Sequence, residues 1–148
     1  MRYILLDSIR SMQNVWAIFR NCDWAWFDKV ILTGFTPVLP RWEINKTAIW
    51  AEKFIDWEYY KDPLNVLCEL KKKWFKIISV ELDDRSIDYK KLDIASDENV
   101  CLVMWNELSW VSKDIMNISD EIVMIPMLWN KASLNVSVAA WIVMYQLV

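Results

Sequence analysis

Hydrophobic residues fall along this chain in short unbroken runs, set between longer stretches of helical spacing. Tyr3–Leu6, Lys29–Thr33, Phe54–Glu58, Phe75–Leu82, Val100–Met104 and Ile122–Ile125 have the length and character of strands. Val100–Met104 is almost wholly apolar, as suits a parallel strand covered on both faces. Ser11–Asp23 places Val15, Ile18, Phe19 and Cys22 on one helical face. Asn45–Glu52 reads as a short helix, and Asp62–Lys73 as a helix with Pro63 at its first position, where a missing N–H does no harm. A short helix near Ser112–Met116 and a terminal one over Asn135–Leu147 complete the set. Gly34–Pro40 and Trp105–Trp110 read as loops, and Asp83–Glu98 as a charged surface stretch without pattern. Regular alternation of strand and helix predicts an α/β protein, a mainly parallel sheet with helices on both faces. No linker, repeat or low-complexity segment interrupts residues 1–148, which predicts a single domain. Ligands of open parallel sheets bind beyond the carboxyl ends of the strands, which draws attention to Asn106, Glu107, Lys131, Ser133 and Asn135.

Composition removes several chemistries. The chain has no histidine, so triads with a histidine base and histidine zinc sites are excluded. Cys22, Cys68 and Cys101 are far apart with no CxxC pair, which predicts neither a metal site nor a disulfide framework. The longest apolar run, Val136–Tyr145, is too short for a membrane span and contains Ser137. The N-terminal MRYILLDSIR carries Asp7 and lacks the long apolar core of a secretory signal. A cytoplasmic protein with reduced thiols and no membrane partner is expected.

One imbalance stands apart: a single glycine and eleven tryptophans. Ordinary usage gives a chain of this length roughly ten glycines, which turns and close backbone approaches need. Several tryptophans sit at polar junctions where glycine is the usual punctuation: Trp24 and Trp26, Trp74, Trp105, Trp110 and Trp129.

Three clusters carry a resemblance. Asn14–Arg20 (NVWAIFR) is similar to an N-x-G-x-x-x-R motif, and Leu102–Trp110 (LVMWNELSW) to G-N-E-x-x-G after a buried strand. Ile125–Ala140 (IPMLWNKASLNVSVAA) is similar to I-P-M-x-G…S-L-N-V-S-V-A-A. Leu32–Pro37 (LTGFTP) and Lys46–Glu52 (KTAIWAE) add two further stretches in the right order. Nearly the whole chain therefore resembles the SpoU/TrmH-type RNA 2′-O-ribose methyltransferases of the SPOUT superfamily. That resemblance implies a deep trefoil knot in the C-terminal half, S-adenosylmethionine as cofactor, and a minimal catalytic form working as a homodimer whose site draws on both subunits. It implies cofactor contacts at Met104, Trp105, Ile125, Met127 and Leu134, and catalytic roles for Asn14, Arg20, Glu107, Ser133 and Asn135.

A ribose hydroxyl is a poor nucleophile until its proton is being removed. The family places the arginine matching Arg20 there as a base with a substrate phosphate. Because guanidinium keeps its charge, Arg20 is equally suited to orient the phosphate and stabilise developing alkoxide. Asn14, six residues earlier, is expected on roughly the same side of the helix, or simply as its N-cap, a role open to Ser11 too. Ser133 and Asn135 are both candidate caps of the last helix, and Glu107 is alternatively a solvated loop residue.

Net charge is −3, unfavourable for binding phosphates. Its distribution matters more: residues 1–53 hold seven Lys/Arg against five Asp/Glu, while residues 54–148 hold ten against fifteen. RNA is therefore expected at the N-terminal side, around Arg10, Arg41 and Lys46, with tRNA favoured over rRNA as the compact substrate. A non-catalytic RNA- or nucleotide-binding module on the same fold is the alternative. Where the motifs want glycine, this chain has Trp16, Trp105, Trp110 and Trp129, and Trp24, Trp26, Trp50, Trp74 and Trp141 extend the pattern. Trp57 fits as a true tryptophan. One residue type replacing another in this way points to the codon UGA, read as glycine by some bacteria and as tryptophan in another code; a genuinely Trp-substituted, catalytically dead scaffold is the alternative.

Overall fold

The computed structural model describes residues 1–38, 55–105, 111–127 and 133–148. Among them seven strands form one sheet: β1 (Arg2–Asp7), β2 (Lys29–Thr33), β3 (Asp56–Tyr60), β4 (Phe75–Val80), β5 (Ile87–Asp88), β6 (Asn99–Met104) and β7 (Glu121–Met124). They lie in the order β3-β2-β1-β6-β4-β7-β5, and every pairing is parallel. Among the described residues four helices connect or follow them: α1 (Met12–Trp24), α2 (Pro63–Lys72), α3 (Lys113–Ile118) and α4 (Val136–Gln146). The β1–α1–β2 and β3–α2–β4 units cross the sheet in opposite directions, so right-handed connections put α1 and α2 on opposite faces. There α4 packs on α1 and α3 on α2. The central strands supply the core: Ile4–Leu6, Ile77, Ile78 and Val100–Met104 are essentially inaccessible, as helices on both faces require.

Each helix begins at a short polar side chain that accepts from a main-chain N–H of its first turn. Ser11 accepts from Asn14 N at 3.3 Å, Asp62 from Leu64 N at 2.9 Å, Ser112 from Ile115 N at 3.3 Å and Asn135 from Ser137 N at 2.9 Å. The strand expected at Phe54–Glu58 lies two residues later, at Asp56–Tyr60. It is an exposed edge strand with no buried run to fix its ends. A polar cluster holds it instead: Glu58 accepts from Tyr60 at 2.6 Å and from Lys29 at 2.9 Å. Those two donors keep the Glu58 carboxyl below the usual carboxylate range. Phe75–Leu82 stops being strand at Val80, and Asp83–Glu98 contains the unpredicted β5 and a 3-10 turn at Tyr89–Lys91. The helix expected at Asn45–Glu52 and the threading expected of the C-terminal loops lie outside the described residues.

The turn after β2 is where the chain requires its glycine. Gly34 has φ +60, and a Cβ there would overlap the hydroxyl of Ser8. That hydroxyl donates to Asp7 and accepts from Phe35 N, tying the β1 and β2 ends together. Gly34→Ala is expected to destabilise the protein by about 2 kcal/mol, from the left-handed backbone and the displaced serine. A lowered urea midpoint at unchanged slope would register it; an unshifted midpoint would contradict it. Among the described residues no helix is long and apolar enough to cross a membrane.

Candidate functional site

The register aligns the carboxyl ends of β1, β2, β4, β6 and β7: Leu6 pairs with Leu32 and Met104, and Val80 with Val123. Functional side chains of an open parallel sheet belong at this edge. Its first half is a hydrogen-bonded platform. Buried Thr36 donates to Leu6 O at 2.8 Å and accepts from Ile9 N at 3.0 Å, while Thr33 donates to Asp7 at 3.1 Å and Ser8 N reaches Thr33 O at 3.1 Å. These bonds fix the Asp7–Arg10 segment, present Arg10 at the surface, and set the entry of α1.

Helices α1 and α4 bring two candidate residues together across 121 positions: Asn135 Nδ2 donates to Asn14 Oδ1 at 3.1 Å. Asn135 Oδ1 accepts from Ser137 N and Oγ, at 2.9 and 2.6 Å. Asn21 donates to Ser137 O at 3.0 Å and completes a polar seam between the helices. Asn135, not Ser133, is the cap of α4, and Ser11, not Asn14, is the cap of α1. Asn14 bonds across helices instead.

Arg20 does not share its side of α1. Six residues at 100° each leave the two side chains about 120° apart around the axis, which corrects the expectation of a common side. Arg20 is exposed and makes no hydrogen bond or ion pair among the described residues. A free guanidinium on a rigid helix is suited to receive a phosphate.

The second half of the edge is a small apolar cavity. Trp105, Ile125, Met127, Ser133 and Leu134 line it, as the motifs suggest. Met104 does not. It is fully buried as the last residue of β6, paired with Leu6, and its side chain belongs to the core. Glu81 also lines the cavity and is a residue that sequence reasoning missed. It is 7% exposed; Oε1 accepts from Leu82 N at 2.7 Å and Oε2 from Val111 N at 3.0 Å. The available signal was a carboxylate just past the apolar run of β4. Glu107, Arg41 and Lys46 lie outside the described residues. Among those described, no group of metal-ligating side chains comes together. Burial raises the thiol pKa values of Cys22 and Cys101 well above the ordinary range, which makes both inert as nucleophiles.

The model of the SpoU rRNA Methylase family matches residues 1–145. The chain belongs to that family. The tRNA (guanosine(18)-2′-O)-methyltransferase of Aquifex aeolicus is 30% identical over 144 residues, 97% of this chain and 66% of its own length. The enzyme of the same name from Escherichia coli K12 is 24% identical, over 97% of this chain and 61% of its own length. This SpoU-family chain thus spans about two thirds or less of those relatives. The crystal structure of the A. aeolicus TrmH/SpoU tRNA modifying enzyme superposes with a TM-score of 0.86 at 28% identity, covering 98% of this chain and 72% of that one. The AdoMet-bound rRNA methyltransferase of Sinorhizobium meliloti shares the fold, with a TM-score of 0.88 at 22% identity over 98% of this chain and 54% of its own.

A nucleoside-sized donor does not fit the cavity with these side chains. Its volume is about 40 Å³, room for a few waters, whereas small-molecule sites take roughly 300 Å³ or more. The Trp105 indole, 9% exposed, is packed into its wall.

Proposed function

We propose that this chain is the catalytic part of a cytoplasmic RNA 2′-O-methyltransferase that uses S-adenosylmethionine to methylate a ribose hydroxyl of tRNA. The observation that carries the reading is the Asn135–Asn14 hydrogen bond of 3.1 Å, which joins the first and third motifs at the carboxyl edge beside the cavity. The relatives named as tRNA (guanosine(18)-2′-O)-methyltransferases supply the substrate class. When bound, S-adenosylmethionine would supply a sulfonium methyl: its S–CH3 bond would break as the ribose O–CH3 bond forms, S-adenosylhomocysteine would leave, and the ribose proton would pass to solvent. Arg20 holds the substrate phosphate and balances charge on the oxygen as its proton leaves. The Asn14–Asn135–Ser137 seam keeps the helix of Arg20 in place, and Arg10, Arg41 and Lys46 supply phosphate contacts. Ser133, Ile125, Met127 and Leu134 line the cavity assigned to the donor once position 105 is opened, and Glu107 is assigned beside them by its motif alone.

A second copy of the chain is the natural cover for α4. That helix is apolar almost all round, and Val138 and Tyr145 remain about 45% exposed; such helices belong in an interior. With the indole kept at position 105, the small cavity favours a second reading, an RNA-binding module without transfer. Incubation with labelled S-adenosylmethionine and bulk tRNA decides. Label in tRNA ribose, mapped first at guanosine 18, supports the enzyme; RNA retention without label supports the module.

A further inference from the structure

We propose that positions 26, 74 and 105 carry glycine in the protein its own cell makes, the codons there being UGA. Two independent kinds of observation converge. The first is backbone. Among the described residues three besides Gly34 have positive φ: Ser8 at 54°, Trp26 at 53° and Trp74 at 64°. For a bulky residue that conformation is an outlier, and here two of three cases are tryptophans.

Both stand at the same place in their helices. Ala25 ends α1 and Lys73 ends α2, so Trp26 and Trp74 each occupy the next position, where helices characteristically close with a left-handed glycine. The closing hydrogen bonds of that motif are present. Phe27 N reaches back to Cys22 O at 3.0 Å after α1, and Trp74 N to Lys71 O at 3.0 Å after α2. Nothing offsets the strain. Trp26 is 84% exposed and Trp74 87% exposed, so neither indole is packed against the protein. A tryptophan selected for its ring would bury it or stack it. By contrast, Trp24 and Trp141 have helical backbone within α1 and α4 and meet in a tilted ring contact at 6.4 Å, so the conformational argument does not extend to them.

The second kind of observation is space. Trp105 leaves β6 directly into the cavity wall of a family member whose cavity is about 40 Å³. A hydrogen in place of the indole opens the main chain at 105 to a nucleoside, the close approach that glycine permits. This part rests on the donor assigned under the proposed function; the backbone part at 26 and 74 does not. A single reassigned codon accounts for both, because it changes one residue type wherever it occurs.

Three measurements test it. UGA codons at 26, 74 and 105 support the proposal, and UGG at any of them overturns it there. Mass spectrometry of tryptic peptides from the native host should show glycine at these sites; intact indoles overturn the proposal whatever the protein does. Third, the chain as written is compared with one bearing Trp26→Gly, Trp74→Gly and Trp105→Gly. The glycine chain should melt higher and bind S-adenosylmethionine at least about 100-fold tighter by calorimetry. Equal melting and equal affinity overturn the physical argument. Glycine peptides together with a glycine chain that melts higher but binds no donor would uphold this proposal and sink the methyltransferase reading instead.

Discussion

Arg20→Ala is expected to cut methyl transfer to tRNA by roughly 10²–10³-fold, the scale of losing one preorganised charge-stabilising group. Donor affinity and melting temperature should not move. The reason for the clean separation is placement. Arg20 is on the exposed side of α1, engaged by no other described residue, and away from the cavity lining. Exposed substitutions of this kind change stability by less than about 0.5 kcal/mol. Arg20→Lys keeps the charge but loses the planar fork that grips two phosphate oxygens, so it should recover binding of tRNA more than turnover. A loss confined to KM in the alanine variant would make Arg20 a binding residue only. Full turnover would remove it from the site altogether.

Much of this arrangement is legible in the residues, and the reasons differ from place to place. Ser11, Asp62, Ser112 and Asn135 are each a short polar residue ahead of a segment with helical spacing, and all four act as caps. Val100–Met104 announces a buried parallel strand by being apolar throughout. The two-residue β5 is invisible because it is too short for any periodicity; its pairing with Val123 and Met124 makes it a strand. Asn14 and Asn135 are named by motif, but only packing of α1 on α4 shows that they bond to each other. The spacing of Asn14 and Arg20 misleads because six residues are not a whole number of helical turns. At Met104 the motif marks the chain path beside the cavity, where the expected contact is largely through the main chain, while the side chain belongs to the core.

Glu81 shows what motif reading leaves out, and it carries the largest stability change expected here. Its carboxylate is nearly inaccessible and accepts two main-chain N–H groups, Leu82 at 2.7 Å and Val111 at 3.0 Å. Its own N–H reaches Val123 O at 2.9 Å, so one residue joins β4, β7 and the segment entering α3. Hydrogen bonds to a charged acceptor contribute more than neutral ones, and an orphaned buried N–H costs about 1–3 kcal/mol. Glu81→Ala leaves the buried Val111 N–H unmatched, while exposed Leu82 turns to water, and should cost about 2–3 kcal/mol by denaturant titration. Glu81→Gln retains one acceptor oxygen and turns an NH2 toward the other donor, so it should recover only part of that loss. The ranking distinguishes anchoring from bulk. If glutamine were as stable as glutamate, packing rather than the paired acceptors would hold Val111; if alanine cost less than about 1 kcal/mol, the carboxylate would anchor nothing.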